Sequence, residues 1–265
     1  GREDNQVLGG IGCHAYLEFD GNSVEAGRLE AAWNQLQYHH PMLRACFTED
    51  GMQKIQERPF SEKLPVNDYS KMLEEEAYRK AEEVRERLSH RKLQIEKGEV
   101  AGVELTLLPS GKTRIHIDMD LLIADVQSLQ ILLKDLVATY NGEKLSEESK
   151  DWNFVAYLEK QATDDREEKE KAKDYWRKRL DTLPKGPELP LAKRPEEVKK
   201  TVFHRRIVRI AKKEWEALQS KAKEYQTTPA MLLLTVYATV LERWSRNKRF
   251  LINIPFFNRR QSTRE

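Results

Sequence analysis

The sequence predicts an α/β (α+β) fold, and three observations carry that prediction. The run 114–136 changes period midway. Ile115, Ile117 and Met119 alternate with Arg114, His116, Asp118 and Asp120, and then Leu129, Leu132, Leu133, Leu136, Val137 and Tyr140 recur at helical spacing. Alternation marks a half-buried strand, and a 3.6-residue recurrence marks a helix with one apolar stripe. Just upstream, residues 103–108 and 112–119 flank Pro109-Ser110-Gly111, a turn sequence that pairs them as strands. A charged amphipathic stretch at 70–88 supplies a helix to cover such a layer.

In order along the chain, residues 13–19 read as a strand after a loop ending in Leu8-Gly9-Gly10. Asn22-Ser23-Val24-Glu25 caps a helix running to Tyr38, with Val24, Leu29, Ala32, Trp33 and Leu36 as its apolar positions. A strand over 43–47, a hairpin-like turn at Glu49-Asp50-Gly51 and a short strand over 52–56 follow. The helix over 70–88 buries Leu73, Ala77, Ala81, Val84 and Leu88 and turns a Glu/Lys/Arg face to solvent.

After Asn141-Gly142, helical segments are expected at 152–160 and 165–180. Prolines at 184, 187, 190 and 195 forbid regular structure over 183–200, which reads as an ordered linker between lobes. Residues 201–210 alternate as a strand and 212–225 read as a helix. Thr228-Pro229 then starts a helix over 231–244, with Thr at the cap and Pro at the first position. That last helix is apolar nearly all round, the pattern of a buried one.

The composition narrows the function classes. A chain of 265 residues forms one large domain or two modest ones. A net charge of +2, from 46 basic and 44 acidic residues, argues against a nucleic-acid partner, which needs a concentrated basic surface. Cys13 and Cys46 offer neither a disulfide framework nor metal-ligand spacing. No apolar run reaches membrane-crossing length, and Gly1-Arg2-Glu3-Asp4 does not open a signal peptide. The expectation is a reduced, cytoplasmic protein with no nucleic acid, membrane or metal in its function.

Between the strand and helix of the central run lies Asp120-Leu-Leu-Ile-Ala-Asp125-Val-Gln-Ser128. One carboxylate emerges at the strand end. The other sits near a helix N-terminus, whose dipole and free N–H groups favour negative charge. An Asp in that place is more often a cap than a catalyst. His39-His40 falls near a helix C-terminus, where positive charge is favoured.

Asp120-x-x-x-x-Asp125-x-x-Ser128 resembles the D-x-x-x-x-D-x-x-S signature of heterocyclization domains, a branch of the condensation-domain superfamily of nonribosomal peptide synthetases. Ordinary condensation domains carry H-H-x-x-x-D-G at this junction. Aligned with it, Asp120 stands at the first His, Leu121 at the second and Asp125 at the shared Asp. His39-His40 is not that motif, because the residue four past His40 is Arg44 and no D-G follows. The opening Gly1-Arg2-x-Asp4 through Leu8-Gly9-Gly10 and the stretch 13–20 are also similar to the family, as are H-P-x-L-R at 40–44 and L-P-x-x-P-x-L-P-L at 183–191 after Tyr175-Trp176. So are T-P-x-x-x-L leading into V-L-x-x-W over 228–244 and the element Asn253 to Arg259, where Pro255 replaces the usual Thr.

The resemblance implies a two-lobed domain, each lobe like chloramphenicol acetyltransferase with a mixed sheet and flanking helices, and a tunnel between lobes. It assigns 1–182 to the N-terminal lobe, 183–200 to the linker and 201–265 to the beginning of the second lobe. It implies condensation of an upstream acyl group with carrier-bound Cys, Ser or Thr, followed by cyclodehydration to thiazoline or oxazoline. Asp120, Asp125 and Ser128 become the catalytic candidates and Asn253, Asn258 and Arg259 the tunnel candidates. Arg44 becomes a structural partner of Asp125. Upstream and downstream peptidyl carrier domains and an adenylation domain are the implied partners. The domain itself holds no cofactor; substrates arrive on carrier phosphopantetheine. The family's opening stretch and its later cyclodehydration Thr and Asp are expected outside 1–265, so this chain is expected to fold but not to cyclize alone. The alternatives are a carrier-docking fragment without catalysis, which the intact motif argues against, and an acyltransferase without cyclization, which Leu121 argues against.

Overall fold

A computed structural model describes residues 12–145, 154–164, 166–199, 201–202 and 206–255. They fall into two compact units, one drawn from 1–147 and 198–201 and the other from 148–197 and 202–265. In the first unit β1 (His14–Asn22), α1 (Ala26–His39), β2 (Ala45–Phe47), β3 (Gln53–Ile55), β4 (Val66–Asp68), α2 (Glu74–Ser89), β5 (Ala101–Leu107), β6 (Lys112–Asp120) and α3 (Val126–Tyr140) follow one another. Four strands make a mixed sheet in the order β1-β6-β5-β4, antiparallel except where β4 runs alongside β5. β2 and β3 form a separate ribbon. The β5–β6 connection turns at Pro109-Ser110-Gly111, as the sequence predicts, and passes through left-handed angles at Ser110 (φ 60°) and Gly111 (φ 71°).

The apolar half of the alternation does what the sequence predicts. Val103, Leu105, Ile117 and Met119 pack with Leu29, Ala32, Trp33 and Leu36 of α1 and Leu132 and Leu136 of α3 into one core. Each large side chain so buried contributes roughly 1.5–3 kcal/mol. The start of α1 differs from expectation. Asn22 is the last rung of β1, opposite Lys112, and Ser23 is left-handed (φ 53°). The helix therefore begins at Ala26, with Glu25 at its N-cap position and no side-chain cap bond.

The polar half differs more. The sequence reads β6 as half-buried, yet Arg114, His116, Asp118 and Asp120 are all buried. The reason is α2, which lies across β1 and β6 and covers this face. A covered charge needs a partner, and each side chain of this face has one. Arg114 Nε donates to Asp20 (2.7 Å), Arg85 Nε to Glu18 (2.8 Å) and Arg87 Nη2 to Glu104 (2.7 Å). Arg91 meets both oxygens of Asp118, Nε at 2.6 Å and Nη2 at 2.9 Å. Tyr16 donates to Glu18 Oε1 (2.8 Å), so the His116 ring donates from Nδ1 to the Tyr16 oxygen (2.7 Å), and its Nε2 bonds the Thr106 hydroxyl (2.8 Å).

Burial beneath α2 disfavours a charged His116. Burial holds the imidazole below its ordinary value; Glu18 and Glu104 pull it up, and Arg114 and Arg85 reinforce the depression. The unfolded chain takes up a proton at this residue near pH 6.5 and the folded chain only at lower pH, so stability falls as pH drops below about 6.5. Asp20, held low by its bond from Arg114, adds a further loss at more acid pH. Thermal melts between about pH 7.5 and about pH 5.5 should show the His116 part of the decline. His116→Gln should flatten it, and an unchanged slope in that variant would remove the assignment.

The second unit contains α4 (Phe154–Asp164), α5 (Arg166–Arg177), α6 (Lys212–Glu224) and α7 (Pro229–Trp244). Thr228 caps α7 as predicted, its Oγ1 accepting from Met231 N at 3.2 Å. The expected full burial of α7 is not met among the described residues. The helix packs on α6, and Val236, Tyr237, Val240 and Trp244 stay exposed. The proline-rich segment is ordered without being regular. Glu188 N donates to Ser245 Oγ (3.0 Å) and Asn247 Oδ1 (2.9 Å), Arg246 N to Glu188 O (3.0 Å) and Leu251 N to Lys185 O (3.0 Å). The strand expected over 201–210 does not form in its described part. Residues 206–210 are irregular with Ile207 and Val208 exposed, because no described strand of this unit offers an edge to pair with.

Candidate active site

The two carboxylates flank the passage from β6 to α3. Asp120 is the last residue of β6, opposite His14 in the β1 register. Its N–H donates to Val100 O (2.8 Å) and the next amide, of Leu121, to Cys13 O (2.8 Å), so the strand end is held from both sides. Asp120 is 1% exposed, and its Oδ1 accepts from Leu122 N at 3.0 Å. Ile123 N donates to Asp120 O (3.2 Å) and closes the turn. The apolar tetrapeptide divides there. Leu121 and Leu122 are exposed, whereas Ile123 and Ala124 are buried in the core and carry the chain back to the sheet.

Asp125 is the N-cap of α3, with extended backbone angles (φ −97°, ψ −177°). Its Oδ1 accepts from both Ser128 N and Ser128 Oγ, each at 2.8 Å. The D-x-x-S half of the motif thus has a mechanical basis: a carboxylate satisfies the first-turn amides and a hydroxyl three residues on holds that carboxylate. Asp125→Ala should lower folding stability by about 0.5–2 kcal/mol and Asp125→Asn by a few tenths. Equal losses for the two in chemical denaturation would contradict the cap.

The expected Asp125–Arg44 ion pair is not formed. The Arg44 guanidinium donates to the main-chain carbonyls of Gln56 (2.6 Å), Gln37 (3.0 Å), Tyr38 (3.4 Å) and Glu57 (3.5 Å), and lies over the Tyr38 ring at 5.8 Å. The 3₁₀ turn Pro41–Arg44 aims the side chain back across the end of α1 towards the residues after β3. It ties those two backbone ends together instead of neutralising the motif. Asn253 belongs to the second unit and is exposed in an irregular segment. Asn258 and Arg259 lie outside the described residues.

Sequence reasoning missed the polar set behind Asp120. Asp118, two residues earlier on the same face of β6, is 2% exposed and gripped by Arg91, which also reaches Glu99 at 3.1 Å. Burial pushes the Asp118 carboxyl above the usual range even with Arg91 opposing it. Gly102 faces Asp118 across β5 and β6, and a Cβ there would lie 2.7 Å from Arg91 Nη2 and 3.0 Å from Asp118 Oδ1. The available signal was the unbroken run of charge on alternate β6 positions opposite a strand glycine, which marks a close approach. Among the described residues, the one grouping of metal-ligating side chains lies away from this motif, at His39, His40 and Asp135.

A family model described as Condensation domain matches residues 13–265. Pyochelin synthetase PchE of Pseudomonas aeruginosa is 36% identical over 259 residues, covering 98% of this chain and 18% of that protein. Phenyloxazoline synthase MbtB of Mycolicibacterium paratuberculosis is 37% identical over 262 residues, with 98% and 22% covered. The chain thus spans about a fifth of the length of these relatives. Among solved structures, the EpoB NRPS cyclization-docking bidomain from Sorangium cellulosum superposes with a TM-score of 0.79 at 26% identity, covering 91% of this chain and 49% of that one.

Proposed function

Because the chain belongs to the condensation-domain family and is similar to heterocyclizing synthetases, we propose that it carries the motif-bearing part of a heterocyclization site. The amine of a carrier-bound Cys, Ser or Thr attacks the upstream thioester carbonyl, a C–N bond forms, the C–S bond breaks and the upstream phosphopantetheine leaves as a thiol. The side-chain thiol or hydroxyl then adds to the new amide carbonyl, and loss of water gives thiazoline or oxazoline. Such chemistry needs a placed amine, a polarised carbonyl and an acid for the departing water.

The observation that carries this reading is the junction itself: a buried Asp120 and a helix-capping Asp125 on either side of exposed Leu121 and Leu122. We assign proton handling and orientation to Asp120, and placement of the α3 start to Asp125 with Ser128. With Leu121 at the second-His position, placement contributes more than base catalysis to the condensation step. Asn253 is assigned to substrate contact, and carrier and adenylation domains of a cytoplasmic synthetase are the proposed partners. The full-length parent, given two loaded carriers and followed by product mass, should yield a condensed product that has lost water. Condensation without that loss would reduce the activity to acyl transfer, and binding without product would reduce it to docking.

A further inference from the structure

We propose that His39, His40 and Asp135 form a binding site for a zinc-class divalent cation. Adjacent residues inside a helix project to different sides and cannot share an ion. Here α1 ends at His39, and His40 leaves it as the C-cap with extended angles (φ −99°, ψ 103°). That departure swings the second ring beside the first, edge to face, with centroids 4.8 Å apart. α3 packs along α1 and brings in Asp135, whose Oδ2 lies 2.9 Å from His40 Nε2. One donor atom from each of the three residues lies within 4.8 Å of the others. The His40 and Asp135 side chains are 15% and 21% exposed, so the donors are reachable from solvent yet fixed by two packed helices.

The donor set selects the ion. Two imidazoles and one carboxylate suit Zn²⁺, Co²⁺ or Ni²⁺; Mg²⁺ and Ca²⁺ prefer all-oxygen ligands, and soft ions prefer sulfur. Binding requires Asp135 to exchange its bond to His40 for a bond to the ion, with water completing a tetrahedral shell. The bound ion would staple the end of α1 to α3, the helix that Asp125 caps and whose first turn carries Ser128. This reading is independent of the proposed chemistry at Asp120.

The test is titration of the full 265-residue chain with Co²⁺ alone, followed by visible ligand-field absorption, and with Zn²⁺ alone by calorimetry and thermal melting. One saturable equivalent is expected, with a melting temperature that rises with Zn²⁺. His39→Ala and the near-isosteric Asp135→Asn should each weaken binding at least about tenfold, while melting close to the unmodified chain in metal-free buffer. Absence of saturable binding, or binding left unchanged by both substitutions, would overturn the proposal.

Discussion

Arg91→Ala should cost about 3–5 kcal/mol of folding stability, the range for removing one partner of a buried ion pair. Asp118 is 2% exposed, and both of its oxygens are taken by the Arg91 fork. Without the guanidinium the carboxyl faces an interior that already pushes it towards its protonated form. The reverse change is milder. In Asp118→Asn, Arg91 is 27% exposed in its side chain, keeps Glu99 at 3.1 Å and can turn to water. The predicted order in denaturant melts is therefore Arg91→Ala well above Asp118→Asn. Gly102→Ala, which forces a methyl group against the same pair, should cost about 1–3 kcal/mol. Losses below about 1 kcal/mol for both Arg91→Ala and Gly102→Ala would show that the pair does not hold the β6 end.

The second large effect is on turnover. Asp120→Asn keeps an oxygen for the Leu122 amide, so the turn after β6 should survive. It removes the carboxylate, and a side chain that moves protons typically supplies about 10²–10⁴-fold in rate. A loss of that size in the full-length parent, with an unchanged melt, is expected for Asp120→Asn. Ser128→Ala should act more weakly and through the cap, since the Ser128 amide still donates to Asp125.

The elements that position the site were legible because their signals are local. The change of period over 114–136, the turn at Pro109-Ser110-Gly111 and the stripe Leu29, Ala32, Trp33, Leu36 each depend on a few neighbouring residues, and all are found where expected. Asp125 was legible both as motif member and as cap. The covered face of β6 was not. Its partners Glu18, Asp20 and Arg91 come from β1 and from the segment just after α2, and no local pattern says which helix will lie on which face. Arg44 failed for a related reason. The residue stands where a family analogy puts it, but the turn at Pro41 decides where its guanidinium points. In α7 the helix and its cap were readable, whereas its surroundings depend on which neighbours pack against it.

Heterocyclization at the β6–α3 junction, as proposed above, makes turnover depend on Asp120. The most direct measurement is single-turnover product mass from the full-length parent with two loaded carriers, comparing the unmodified protein with Asp120→Asn. The unmodified protein should give a dehydrated, ring-closed product, and the variant a slower reaction in which an open condensed product accumulates. Ring-closed product formed at the same rate by Asp120→Asn would contradict that dependence.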